Sequence, residues 1–291
     1  MKYLLVISSL LVCTASFAQV KQDTSLFLIE TNDGNEYIGK IISQDKESVT
    51  IQTEQLGVLT ISKASIKRME PVSNKQFVKG EYWFDNPQST RYFWQPNGFG
   101  LKKGEGYYQN VWILFNQASV GITDNLSIGA GMVPLFLFAG SPTPIWFTPK
   151  LSIPIAPDKF NLGIGGLVGT VLGEPESGFG VAYGTATIGN RNTNMSVGLG
   201  YGYISGNWAD SPLVSLSAMI RTGKRGYILT ENYYIGTPEE DALIIFVGGR
   251  RLIKNSGIDY GLMLPAITGG SFIAIPWLGL TIPFGRPKTI N

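Results

Sequence analysis

Large apolar residues alternate with small or polar ones through most of the last two hundred or so residues. The pattern is clearest at Met195–Tyr203. Met195, Val197, Leu199, Tyr201 and Tyr203 take one face there, and Ser196, Gly198, Gly200 and Gly202 the other. Leu126, Ile128, Ala130 and Met132 oppose Ser127, Gly129 and Gly131 in the same way. Val214, Leu216, Ala218 and Ile220 oppose Ser215, Ser217 and Arg221. Period two belongs to strands, because successive side chains leave a pleated backbone on opposite faces. The pattern predicts about twelve strands. They lie near 88–95, 106–122, 125–139, 144–156, 160–172, 178–189, 194–206, 211–222, 226–236, 241–253, 257–266 and 270–284. Tight polar turns are expected at 123–125, 156–159, 190–194, 222–226 and 254–257. Longer links contain 97–103, 140–143, 173–177, 206–210, 237–240 and 268–270. No link is long enough to read as a plug.

The front of the chain reads as a secretory signal. Lys2 supplies the charge, Tyr3–Val12 the short apolar stretch, and Ser16-Phe17-Ala18 the small residues of a cleavage site. Residues 1–18 are therefore expected to be removed. Cys13 does not fit a lipid-attachment site, because Val12 stands where a small residue is needed. The uncharged stretches Leu126–Pro149 and Gly261–Gly285 are long enough to span a bilayer as helices. Their prolines and glycines argue for strand pairs instead.

The last strand runs Trp277-Leu278-Gly279-Leu280-Thr281-Ile282-Pro283-Phe284. Gly279, Ile282 and Phe284 match the spacing of the C-terminal signal read by the barrel-assembly machinery. Trp277 departs from that signal, and a tail, 285–291, follows it. With the alternating strands and the secretory signal, the chain resembles bacterial outer-membrane β-barrel proteins as an architectural class. The resemblance implies an antiparallel transmembrane barrel over 88–284, embedded in outer-membrane lipid, with its tight turns in the periplasm. Aromatics including Tyr92, Phe93, Trp94, Trp112, Trp146, Tyr233 and Trp277 are expected to form interfacial girdles.

Residues 19–72 form a separate periplasmic β domain in this reading, joined by a linker, 73–87. Five short strands are predicted around a hairpin turn at Asn32-Asp33-Gly34-Asn35. Asp33-Gly34, Tyr37–Ile41, Asp45, Val49–Ile51, Gly57 and Ile66 carry a loose resemblance to Sm-like or SH3-like small barrels. That resemblance implies a closed small sheet serving as a docking or spacing module.

Composition then narrows the chemistry. The chain has no histidine and a single cysteine, which lies in the signal. Hydrolases that use histidine as base or orienter are excluded, as are most zinc sites. A net charge of +2 gives no case for nucleic acid. The glycine-rich run Gly163–Gly169 lies inside a strand and lacks the helix a phosphate loop requires. Glu174, Glu176, Glu239, Glu240 and Asp241 read as a solvated rim. No cofactor, metal or enzymatic activity is expected.

The ionisable residues of the barrel are few: Lys150, Arg191, Arg221, Glu231, Arg250, Arg251 and Asp259. Of these, Arg221, Glu231, Arg250 and Arg251 are the candidate lumen groups. A tight turn at 223–225 sets Arg221 opposite Tyr227 and Ser217 opposite Glu231. Glu231 is expected to pair across the lumen with Arg250 or Arg251. One of these arginines must point inward and the other lie near a rim. Two functions follow as expectations: a narrow pore for small polar solutes, or a non-conducting scaffold whose periplasmic domain docks a protein partner. An enzyme acting on lipid is the third alternative, and the missing histidine argues against it.

Overall fold

The computed structural model describes residues 26–72, 77–78, 81–236, 241–253, 255–267 and 273–285. The signal segment, residues 19–25, the expected links at 237–240 and 268–270, and the tail beyond Gly285 lie outside the described residues. The chain divides into two compact units, Met1–Asn74 and Lys75–Asn291.

The first unit contains β1 (Leu26–Thr31), β2 (Glu36–Gln44), β3 (Ser48–Thr53), β4 (Gly57–Ser62) and β5 (Ile66–Val72). These five strands lie where the alternation placed them. Ile29, Val49, Ile51 and Ile61 form the core, with Tyr37, Ile41, Leu59 and Ile66 against it. The sheet runs β4-β3-β2-β1-β5 and is open, since no pairing joins β4 to β5. The closed Sm- or SH3-like barrel is therefore not what forms. A bulge lies between Ile41 and Ser43, and a second shift follows Glu30.

The second unit is a closed antiparallel barrel of twelve strands. In chain order they are β6 (Gly106–Val111), β7 (Phe115–Gly121), β8 (Leu126–Met132), β9 (Thr143–Phe147 continuing as Lys150–Ala156), β10 (Phe160–Leu172) and β11 (Phe179–Gly189). The ring continues with β12 (Asn194–Ile204), β13 (Leu213–Arg221), β14 (Gly226–Ile235), β15 (Ala242–Ile253), β16 (Ser256–Ile267) and β17 (Ile275–Phe284). Pairing of β17 with β6 closes the ring, from Gly279 opposite Val111 to Phe284 opposite Gly106. The Phe284 ring lies across the open face of Gly106, where a Cβ would meet it at 2.3 Å.

The predicted total of twelve holds although two segments differ from expectation. The segment 88–95 is not a strand. It belongs to a turn-rich plug that lies inside the lumen. The expected strand 106–122 is two strands joined by Trp112–Leu114, with Trp112 (φ 52°) and Ile113 (φ 67°) in left-handed conformations. Such turns normally use glycine, asparagine or aspartate, so an apolar turn reads as continuous strand. Trp112 is held there by its N–H to the Leu278 carbonyl at 3.0 Å and its indole N–H to the Pro276 carbonyl at 2.6 Å.

Two smaller corrections concern neighbouring segments. The strand expected over 125–139 ends at Met132, and Pro134 starts a short helix, α1 (Pro134–Phe138). Strand β9 is interrupted at Thr148-Pro149. Thr148 and Gly129 exchange backbone bonds of 2.8 and 3.0 Å, and Gly166 donates to the Pro149 carbonyl at 3.0 Å, so the break leaves these backbone groups paired.

Apolar side chains cover the outward faces. Ile164, Val197, Leu216, Ile228, Val247 and Leu278 are all exposed, each on a different strand. The inward faces carry Gln109, Ser127, Lys150, Thr187, Ser196, Ser217, Glu231, Arg250 and Asp259, all buried. A protein with polar groups inside and a continuous apolar belt outside inverts the arrangement of a water-soluble domain. No described helix is long and apolar enough to cross a membrane.

Candidate functional site: the plugged lumen

The plug runs from Phe84 to Leu101, and most of it is buried. Its tip is a tight reversal. Tyr92 N–H bonds the Gln95 carbonyl, Asn97 N–H bonds the Thr90 carbonyl, and Arg91 bridges Pro96. The reversal turns three consecutive N–H groups, those of Phe93, Trp94 and Gln95, toward one point. Glu231 Oε2 accepts all three at 2.9 Å each, and Oε1 accepts the Tyr233 hydroxyl at 2.7 Å. A buried carboxylate is tolerable when its lone pairs are taken up in this way.

A second anchor lies at Arg250. Its guanidinium makes a two-pronged pair with Asp259, at 2.6 and 2.9 Å. Its remaining donors reach Asn86 Oδ1 (3.0 Å), the Gln88 carbonyl (2.8 Å) and side chain (3.1 Å), and the Tyr92 carbonyl (2.8 Å). Arg250 and Asp259 are directly opposed on β15 and β16. The fixed fork of an arginine suits it to a site where several acceptors converge.

Smaller contacts stitch the plug to other strands. Gln95 donates to Ser215 Oγ at 2.7 Å and accepts a short bond from Ser217. The Tyr92 hydroxyl meets Asn194 and Ser196, and Gly98 N–H meets Thr187 Oγ1. Lys150 Nζ donates to the Thr90 and Phe99 carbonyls at 3.3 and 2.5 Å. These partners come from strands all around the ring, so the plug is held as an internal part.

The sequence-derived lumen residues separate into three groups. Glu231 and Arg250 face inward, but they do not pair with each other: one binds plug amides and the other binds Asp259 plus plug carbonyls. Ser217 opposes Glu231 and Arg221 opposes Tyr227, in the register expected. Arg221 lies at the turn end of β13, where it donates to the Phe84 carbonyl and covers the Trp83 ring at 4.8 Å. Arg251 is exposed on the outer face near the same end. Of the assembly-signal residues, Gly279 faces inward, while Ile282 and Phe284 face outward. Among the described residues no three acidic, cysteine or histidine side chains gather as a metal site.

Several expected girdle aromatics are interior instead. Tyr92 and Phe93 are fully buried in the plug, and Trp146 and Trp277 point into the barrel. Trp277 forms a hub. Its ring meets Phe93 (5.7 Å between centroids), Trp112 (4.9 Å) and Phe246 (5.3 Å). Between this hub, the plug tip and the loop ends of the strands lies a cavity of about 610 Å³. Its lining is mostly apolar and includes Trp94, Phe115, Val181, Leu213, Ile244 and Met263. The residues that sequence reasoning missed, Asn86, Gln88 and Gln95, are polar groups whose partners are distant in sequence. No local pattern reports them.

No family model and no curated protein sequence matches the chain. Two solved structures are similar to it over most of its length. One is the outer-membrane expressed OmpT of Vibrio cholerae, 8% identical, covering 90% of this chain and 95% of that one, with a TM-score of 0.34. The other is the CymD monoaromatic hydrocarbon channel, 11% identical, covering 89% and 86%, with a TM-score of 0.35. The assignment of this chain as a closed β-barrel rests on its own ring of strand pairings.

Proposed function

We propose that this protein is an integral outer-membrane β-barrel, non-enzymatic, whose lumen is closed to ions by an internal plug. Above the plug it holds a chamber for small apolar molecules entering from the loop side. The observation that carries this reading is the plug tip, clamped by Glu231 beneath a cavity with a largely apolar lining. Its volume falls within the range of about 300–1,000 Å³ that is usual for small-molecule pockets. The apolar outer belt supports a lipid location. Far less exposed apolar surface than this would be unusual on a soluble monomer. The cleavable signal and the C-terminal Gly279, Ile282 and Phe284 fit export and insertion by the assembly machinery.

A permanently open pore for small polar solutes fits less well, because the plug crosses the lumen and the chamber lining offers polar solutes few partners. The scaffold reading draws on the first unit, whose edge strands β4 and β5 leave backbone groups available to a periplasmic protein partner. Planar-bilayer recording of the refolded protein tests the closed state. Membranes that stay silent, with insertion shown by heat-modifiable gel mobility, agree with it. Stable open levels in the wild-type protein would overturn it.

A further inference from the structure

The chamber's polar groups are unbalanced. Arg91 and Lys150 both line it, and no carboxylate does. Arg91 is buried, at 8% exposure, and lies over the Tyr107 ring at 5.5 Å. One of its terminal nitrogens donates to Gln109 at 3.0 Å. Its Nε, also buried, has no hydrogen-bond partner among the described residues. The indole N–H of Trp277 is a second buried donor without a partner, and its ring lines the same chamber. Lys150 spends its bonds on two plug carbonyls, with no described acid beside it. The buried acids of the barrel are already committed: Glu231 to the plug amides, Asp259 to Arg250.

Buried donors without acceptors are costly, and a buried cation without a counter-charge more so. Two such donors and two cations on residues that line one apolar chamber are complementary to a ligand that brings an anionic acceptor on an apolar body. Resting on the chamber reading above, we infer that the ligand is a small amphiphile carrying a single carboxylate. Its head is seated toward Arg91 and the Trp277 N–H, and its apolar body lies against Trp94, Phe115, Phe246 and Met263. The carboxylate accepts from Arg91 Nε and supplies the charge the chamber lacks. The aromatic walls exclude water from that contact, which strengthens it.

The test uses the refolded full-length mature protein in detergent, with 2-naphthoate, 2-naphthol and 2-naphthylmethylammonium as probes of one shape and three charges. Binding is read by calorimetry and by quenching of tryptophan fluorescence. The expected order is anion, neutral, cation, with naphthoate preferred over naphthol by about tenfold or more. In Arg91→Gln that preference disappears while naphthol binding stays. Arg91→Lys keeps part of it. Equal affinity of the wild-type protein for naphthoate and naphthol overturns the head-group assignment and leaves the apolar chamber standing. Binding of none of the three overturns the chamber and the assignment together. The charge series on the wild-type protein decides the matter even if Arg91→Gln does not fold.

Discussion

Glu231 Oε2 accepts the backbone N–H of Trp94 at 2.9 Å, although the two residues are 137 positions apart and belong to different parts of the barrel. The bond joins the middle of a strand to the tip of the plug. With the flanking amides of Phe93 and Gln95 it makes the carboxylate a three-point clasp.

Glu231→Ala should release the plug tip. It leaves three buried N–H donors without acceptors, at about 1–3 kcal/mol for each one that stays buried and unpaired. The tip escapes that cost by leaving its seat, so planar bilayers should show transient openings that the wild-type protein lacks. A variant as silent as wild type, and unfolding at the same urea concentration, would remove Glu231 from the clasp.

Arg250 and Asp259 should be far less tolerant of single than of joint replacement. Asp259→Asn strips the guanidinium of its counter-charge in a buried setting, where breaking one side of an ion pair costs about 3–5 kcal/mol. Arg250→Met with Asp259→Asn removes both charges and should recover part of that loss. The urea midpoint of the folded band on gels reads the difference, and additive losses would argue that the pair is not coupled.

The outer belt makes a directional prediction. Leu216 faces outward and is exposed, while Ser217 beside it is buried in the lumen. Leu216→Arg should cost about 2–4 kcal/mol in lipid vesicles if the residue lies near the bilayer midplane. Equilibrium unfolding against a Leu216→Ala control measures it. A water-exposed surface would tolerate the arginine with little change.

At Ile113 a branched side chain is held at φ 67° with 81% of its surface exposed. Ile113→Gly should therefore stabilise the turn between β6 and β7, by about 1 kcal/mol, the usual cost of a left-handed L-residue. Loss of stability would mean that the isoleucine packs against something in the membrane interface.

In the first unit, Asp45 accepts the Glu47 amide at 2.8 Å and the Ser48 amide and hydroxyl. The Glu47 amide leads in holding its carboxyl below 3.8, the ordinary value, with the Ser48 hydroxyl and amide adding to it. A depressed acid stabilises the fold above its unfolded-state value, and that contribution fades as pH falls through its folded value. Protection of the Glu47 and Ser48 amides, measured as exchange relative to the intrinsic rate at each pH, should therefore fall below about pH 4 in the wild type. Asp45→Ala should exchange fast at every pH.

The sequence disclosed most of what repeats and little of what does not. Alternation located the strands from Phe160 to Phe284, and the short turn at 223–225 set the β13–β14 register residue by residue. Both rest on local, periodic signals. The Trp112–Leu114 turn was hidden because its chemistry is that of a strand interior. The plug was hidden for a different reason. Tyr92-Phe93-Trp94 is as β-prone as any strand here, and only its partners, on β6, β12, β14 and β15, keep it from being one. Glu231 stood out as a mid-strand charge, yet its partners are amides, and every residue but proline carries one.

The ring closes where β17 meets β6, the last strand against the first, and the plug precedes β6 in the chain. Its main clasps are Glu231, Arg250 with its partner Asp259, and Thr281, whose hydroxyl donates to the Gln88 side chain at 2.8 Å; all are carried by the final four strands. The strands that shut this seam therefore also carry the moorings of what lies inside it. Wall and content share the same residues, so a change that loosens the closing strands loosens the plug with them.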